Sequence, residues 1–494
     1  MSDRSLRRLY CAVALVALLP IWSARYLPTV DGPSHVYNSW VLHQLLAGDQ
    51  GVLAETFAID WKPHPNWSGH AVLALLMTVV PPLVAEKLLV SGIVLLFFFA
   101  MWQYAGCIDP ARRALALFAA PFAYSLLLQM GFYNFCIGAS LYFLVLATWW
   151  QRRDRPEVRT IAITAALLLA CYFSHLMPAM LAAGSLGILW LATLRGRAFR
   201  THARHLLALV PLLPLVGWFL RQRGASLGTP AHADAAGLFS YLQKMWVILT
   251  FDDYQARLGV WLFALLAAAI VITLARRRWQ WDESDAFILV TLAVVVLYSR
   301  APAATSGGTM VFERMALFVV LSPLAWLDLR LPRRPTLAIV AALAILSLLY
   351  TGYLTRRYRT LSRRMAEVVR AAAPIGRDAT FLALIRDARP PGTYLPILAH
   401  AADYAAIERG AADIADYEAA TEYFPVAFRP GKLADNIFTL PTATTPIDWP
   451  AYAPHANYVL LWHIPDDSPL LATLDTSYVE VGRGPGGRVV VGRN

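Results

Sequence analysis

Charge is scarce in this sequence. Only 15% of its 494 residues are charged, against 58% hydrophobic ones, and the mean hydropathy is +0.50. That balance excludes an ordinary soluble globular protein and reads as a polytopic membrane protein. Cysteine is scarcer still. Cys11, Cys107, Cys136 and Cys171 all lie in or beside apolar runs, without paired spacing or a metal-site pattern, so no disulfide framework and no zinc site is expected. A phosphate-cradling glycine loop is missing too: "GRGPGGR" joins two strand-like runs and lacks the lysine and following helix that such a loop needs. The net charge of +11 would suit nucleic acid, but many of the arginines stand in short clusters between apolar runs, "RSLRR", "QRRDRPEVR", "RGRAFRTHARH", "ARRRWQ" and "RLPRRP". This is the pattern of cytoplasmic loops, and no nucleic-acid partner is expected.

A transmembrane span takes about 20 mostly apolar residues. On that measure eleven spans are expected, near 9–27, 84–104, 113–129, 132–150, 160–175, 177–194, 205–220, 258–275, 286–300, 314–329 and 336–354. With a cytoplasmic amino terminus, all five arginine clusters then fall on the cytoplasmic side. Residues 66–80 are too short for a span and end at Pro81 and Pro82, so a short or re-entrant helix is expected there. The first span is read as an anchor, because no small-residue cleavage site follows it.

Past Thr355 the chain is richer in charge and proline. "ATFLALI", "ANYVLLW", "SYVEVG" and "GRVVVG" read as short strands, the last two forming a terminal hairpin. "LAHAADYAAIERGAADIADYEAAT" reads as helical with a break at Gly410. The expected fold is therefore mainly α. A transmembrane bundle over 1–354, with a first extracytoplasmic loop at 28–65, would precede a small extracytoplasmic α/β domain over 355–494, in a bacterial inner membrane.

The stretch "YLPTVDGPSHVYNSW", 26–40, follows the first span. Residues 33–47 predict an amphipathic interfacial helix, with Tyr37, Trp40, Val41 and Leu45 on one face and His35, Ser39 and His43 recurring on another. Asp31 has two readings there: the cap of that helix, with Pro33 in its first turn, or a functional carboxylate one turn before His35.

"VDGPSHVYNSWVL", "PHPNWSGH", "AEKLL", "GFYNFCIG", "SHLMP", "FERM", "HAADYAAIERG" and "YFPVAFRP", in this order over most of the chain, resemble bacterial relatives of the glycosyltransferase C superfamily. The resemblance implies transfer of a sugar from a polyprenyl-phosphate carrier to a lipid or glycan acceptor at the outer face. It also implies that an acidic residue of the first outside loop acts as general base or helps to hold a divalent metal such as magnesium or manganese. Asp31 is the matching position. The second acidic residue often paired with it is absent early in this chain.

Such chemistry needs a base for the acceptor hydroxyl and positive groups for the departing phosphate. Arg314, Arg300, His64, His70 and His175 are the candidates for the phosphate, with His35, Asn66 and His400 beside them as further substrate-binding positions. Each also has a plainer role open to it: a helix-end ion pair for Glu313 and Arg314, an interhelical hydrogen bond for His175, loop bonding for His64 or His70, packing for His400 and Tyr404, and a charged helix entry for Glu86 and Lys87. Trp61 and Trp67 are set apart for sugar stacking, and Asp252 and Asp253 read as a second acidic site or a solvated helix end. A transporter or flippase, or a polysaccharide polymerase or ligase, is the alternative to a transferase.

Overall fold

The computed structural model describes residues 2–493 except 224–234, 278, 279, 303, 306, 307 and 422. Residues 224–234, between the Leu212–Arg223 and Ala235–Gln243 helices, thus lie outside the described residues. The chain folds as two compact units.

The first unit comprises Met1–Leu19, Ser91–Leu128 and Tyr133–Tyr353. In this unit the Tyr133–Arg152 helix is buried on nearly every side, as expected of a helix inside a bundle. Tyr142 and Phe143 of that helix meet Phe318 at 4.8 and 6.0 Å between ring centroids. Among the described residues of the whole chain, six helices are long and apolar enough to cross a membrane: Asp3–Ser23, Pro82–Ala105, Pro110–Gln129, Tyr133–Arg152, Asp253–Arg277 and Arg333–Ala371. The pair Phe199–Leu209 and Leu212–Gln222, bent by 46°, makes a seventh if taken as one span. The remaining positions expected to span carry the shorter helices Val158–Ser174, Leu176–Ala192, Ala286–Arg300 and Val311–Leu321. The chain is a multi-pass membrane protein on these helices, of which length and composition mark six or seven.

The second unit comprises Pro20–Val90, Gln129–Phe132 and Leu354–Asn494. The segment after the first apolar helix therefore folds together with the carboxy-terminal region, where the sequence reading divided the chain at residue 354. A short antiparallel pairing of Phe57–Ile59 with Val426–Phe428 ties the two, and Arg429 Nε donates to the Ala54 carbonyl at 2.7 Å. The expected strands form one five-stranded sheet in the order Ala412–Asp413, Thr380–Ile385, Tyr458–Trp462, Gly487–Gly492, Tyr478–Gly484. The first three run parallel and the last two close the terminal hairpin. Leu382, Leu384, Val459 and Leu461 alternate onto the face that Trp449 and Tyr478 cover. Gly410, with φ of 67°, ends the Ala402–Arg409 helix in the left-handed conformation glycine allows.

The helix expected at 33–47 exists as Gly32–Leu46, but it is not an interfacial helix. Every residue from Gly32 to Leu42 is buried. Its polar side chains do not face water: Ser34 Oγ donates to Asp403 at 2.6 Å, Asn38 Nδ2 to Asp416 at 3.1 Å, and Tyr37 donates to the Ala411 carbonyl at 3.0 Å while accepting from the Asp413 amide at 2.8 Å. Tyr37 and Trp40 are thus packing residues and not membrane anchors. An amphipathic pattern on a sequence looks the same whether the polar stripe meets solvent or buried carboxylates.

Candidate active site

Asp31 stands at the start of the Gly32–Leu46 helix and its carbonyl accepts from the His35 amide at 3.0 Å. Its side chain makes no capping bond, so the cap reading accounts for the backbone and not for the carboxylate. The turn before it is clamped by residues 129–131. The amides of Val30 and Asp31 donate to the carbonyls of Gln129 and Met130 at 3.0 and 2.9 Å. Gly131 lies against this turn with φ of +85°.

The Asp31 carboxylate keeps 17% of its side-chain surface open, with His400 Nε2 3.9 Å away and 28% open. Tyr417 hydrogen-bonds to it, and the His400 and Tyr417 rings lie 5.2 Å apart. Burial raises the Asp31 carboxyl above the usual aspartate range, with His400 and His35 pulling the other way. A partly open carboxylate of raised basicity, flanked by an imidazole and a phenol, can accept a proton from a bound hydroxyl.

One turn on, His35 Nδ1 lies 2.7 Å from one oxygen of Glu418, and His70 Nε2 lies 2.6 Å from the other. The two imidazoles meet edge to face at 5.2 Å. All three side chains are buried, and Glu418 fully so. Burial alone would push the Glu418 carboxyl up, but His35 and His70 hold it down at about 2. Burial lowers His35 and Glu418 more than offsets it, so the imidazole is raised above its usual value. His70 Nδ1 lies 3.0 Å from the carbonyl of Asn66, whose left-handed backbone, φ 79°, opens the Trp67–Leu76 helix. Asn66 thus sets the orientation of His70 through its backbone. His64 is elsewhere: its Nε2 meets Asp60 at 2.9 Å, and that bond with those of Lys62 lowers the Asp60 carboxyl against the rise that burial brings.

Behind these groups Asp403 and Asp413 hydrogen-bond to each other, and Asp416 accepts from Asn38. Burial, then the neighbouring Asp413, raises Asp403 well above its ordinary value, and burial does the same for Asp416. Raised carboxylates bind protons in the folded state that the unfolded chain has released. Their contribution to stability is complete below the ordinary aspartate pKa of about 3.9 and is lost as pH rises through the folded values. Thermal midpoints of the wild type should therefore fall with rising pH over that window, and Asp403→Asn should flatten the slope. An unchanged slope in the variant would refute the raised Asp403 carboxyl.

The magnesium or manganese expected at Asp31 does not fit this donor set. Those ions take oxygen ligands, several of them carboxylate or water. Of the groups acting on Asp31, His400 and His35 bring imidazoles, Tyr417 a phenol, and Glu418 a carboxylate whose two oxygens His35 and His70 already engage.

In the first unit Arg314, at the start of the Val311–Leu321 helix, reaches His175 with Nη1 2.5 Å from Nε2. His175 caps the Leu176–Ala192 helix, its Nδ1 accepting from the Met177 amide at 3.1 Å. Phe135 sits beneath both, 5.4 Å from the guanidinium and 5.3 Å from the imidazole ring. Nδ1 being an acceptor, the neutral ring carries its proton on Nε2, so two donors converge. Arg300 ends Ala286–Arg300 exposed and, among the described residues, is brought to neither cluster. Glu86 is buried and accepts from the Tyr404 hydroxyl at 2.8 Å, a role beyond a charged helix entry. Asp252 caps its own turn by accepting from the Tyr254 amide at 3.0 Å. Trp61 and Trp67 stack at 6.0 Å, Trp61 well exposed.

Sequence reasoning brought Asp31, His35, His70 and His400 forward but missed Tyr417, Glu418 and the three buried aspartates. The signal was present in "ADYAAIERGAADIADYEAAT", an unusual density of carboxylates among alanines for a chain so poor in charge.

No protein-family model matches the chain, and no curated protein matches it. Solved structures do. ArnT from Cupriavidus metallidurans bound to undecaprenyl phosphate aligns over 99% of this chain and 98% of its own, at 15% identity and a TM-score of 0.55. The same protein in the apo state gives 0.54 over the same spans. The arabinofuranosyltransferase AftD from Mycobacteria aligns over 100% of this chain but 40% of its own, at 16% identity and 0.52. The likeness is one of fold.

Proposed function

We propose that this protein is a membrane glycosyltransferase that moves a sugar from a polyprenyl-phosphate donor to a lipid or glycan acceptor at the outer face of a bacterial inner membrane. The observation that carries the reading is the clamped, partly open Asp31 carboxylate beside His400 and Tyr417, in a chain with the fold of proteins such as ArnT, whose structure holds undecaprenyl phosphate. Asp31 takes the proton of the acceptor hydroxyl as that oxygen bonds to the anomeric carbon, and the polyprenyl phosphate leaves with the bonding pair. His400 and Tyr417 orient the carboxylate.

The converging donors of Arg314 and His175 suit an anion, since a phosphate oxygen accepts from both where they otherwise oppose each other. Arg314→Gln should weaken polyprenyl-phosphate binding about 10-fold to 100-fold, the loss expected for a charged hydrogen bond worth about 1.5–3 kcal/mol. A titration of the purified protein followed by tryptophan fluorescence measures this, and equal affinity in the variant would remove Arg314 from the donor site.

The reading as a whole is tested by incubating membranes that contain the wild-type protein with labelled polyprenyl-phosphate sugars and following label into lipid and glycan fractions. Transfer above that of membranes lacking the protein is expected. Its absence with every donor, at verified protein level, would favour transport instead.

A further inference from the structure

We infer that His35, His70 and Glu418 form a binding site for a divalent metal of the zinc class, held between the Gly32–Leu46 helix, the Trp67–Leu76 helix and the Tyr417–Ala420 turn. One ligand atom from each residue lies within 4.8 Å of the others, and all three side chains are buried. Two imidazoles and a carboxylate are a zinc donor set, with a fourth position left to water. Four-coordinate zinc sets its ligand atoms about 3.3 Å apart at its usual bond lengths. The short approaches here, 2.7 and 2.6 Å, open to that spacing by small side-chain rotations.

The orientation of His70 is the second observation, independent of the clustering. Its Nδ1 faces the Asn66 carbonyl at 3.0 Å, and a carbonyl only accepts, so the ring proton sits there. The opposite nitrogen, Nε2, then stands 2.6 Å from a carboxylate oxygen of Glu418, on the side where His35 also meets that carboxylate. A metal cation there would take the place of the protons that now join the imidazoles to the carboxylate. A ring nitrogen donating to a backbone carbonyl while its opposite nitrogen faces a carboxylate is how metal-ligating histidines are fixed from behind. Such a metal would join the helix that follows Asp31 to the turn that carries Tyr417, its hydrogen-bond partner, and so hold the carboxylate in place. The metal site stands apart from the glycosyltransferase reading, since its test reads the metal itself.

The full-length protein, purified in detergent with a tag free of histidine, is stripped with chelator and titrated with zinc and with cobalt. A single equivalent bound per chain is expected, with the intense visible absorption of four-coordinate cobalt. His70→Ala and Glu418→Gln should weaken binding at least about tenfold, and His64→Ala, outside the cluster, should leave it as in the wild type. The cobalt spectrum of the wild type decides the matter even where a variant fails to fold. No binding at micromolar metal, a weak octahedral spectrum, or wild-type affinity in His70→Ala would overturn the site and leave the cluster as an imidazolium–carboxylate network.

Discussion

Gly131→Ala is expected to cripple the protein although residue 131 carries no chemistry. The backbone there has φ of +85°, and an added Cβ would stand 2.3 Å from the Gly32 nitrogen and 2.8 Å from the Asp31 nitrogen. Both neighbours are main chain, which cannot rotate aside as the end of a side chain can. The left-handed backbone alone costs a non-glycine residue about 1–3 kcal/mol, and relieving the overlap must displace the turn that the Gln129 and Met130 carbonyls hold. A shift of about 1 Å at a reacting group costs about 100-fold in rate. Transfer should fall by that order with the protein still present in the membrane, and thermal unfolding should move down. Gly184→Ala, where a Cβ meets nothing within 4 Å, is the control expected to change neither. Wild-type activity in Gly131→Ala would show that the turn is not needed where it stands.

The second large effect is that of Asp31→Asn. Loss of a general base costs about 100-fold to 10,000-fold, and the amide keeps the size of the carboxylate so that packing is little disturbed. The pH dependence has a definite sign. The base works ionised, and burial raises its pKa against the opposing pull of His400 and His35. The rate of the wild type should therefore fall as pH drops through a value above the ordinary aspartate pKa of about 3.9. The residual rate of Asp31→Asn should lack that limb.

Much of the fold is legible because its signals are local. The apolar runs mark the helices, and the strands of the carboxy-terminal sheet fall where alternating β-branched and aromatic residues stand, down to the hairpin at "GPGG". What the sequence hides is non-local. Nothing in Phe57–Ile59 announces its pairing with Val426–Phe428, more than three hundred residues away, so the joining of Pro20–Val90 with Leu354–Asn494 in one unit was not legible. The same distance hid half of the site. Asp31 and His35 sit one turn apart and could be read together, whereas Glu418 reaches His35 and His70 only through the fold. The helix at 33–47 failed in an instructive way: its period was right, and the partners of its polar face were buried aspartates instead of water.

The most direct test places wild-type and Asp31→Asn protein in membranes at matched level and follows transfer of labelled sugar from a polyprenyl-phosphate donor. The account predicts turnover by the wild type that collapses at least about 100-fold in the variant while protein level and thermal midpoint hold. Turnover unchanged by the substitution would contradict it and leave Asp31 as the first residue of a helix.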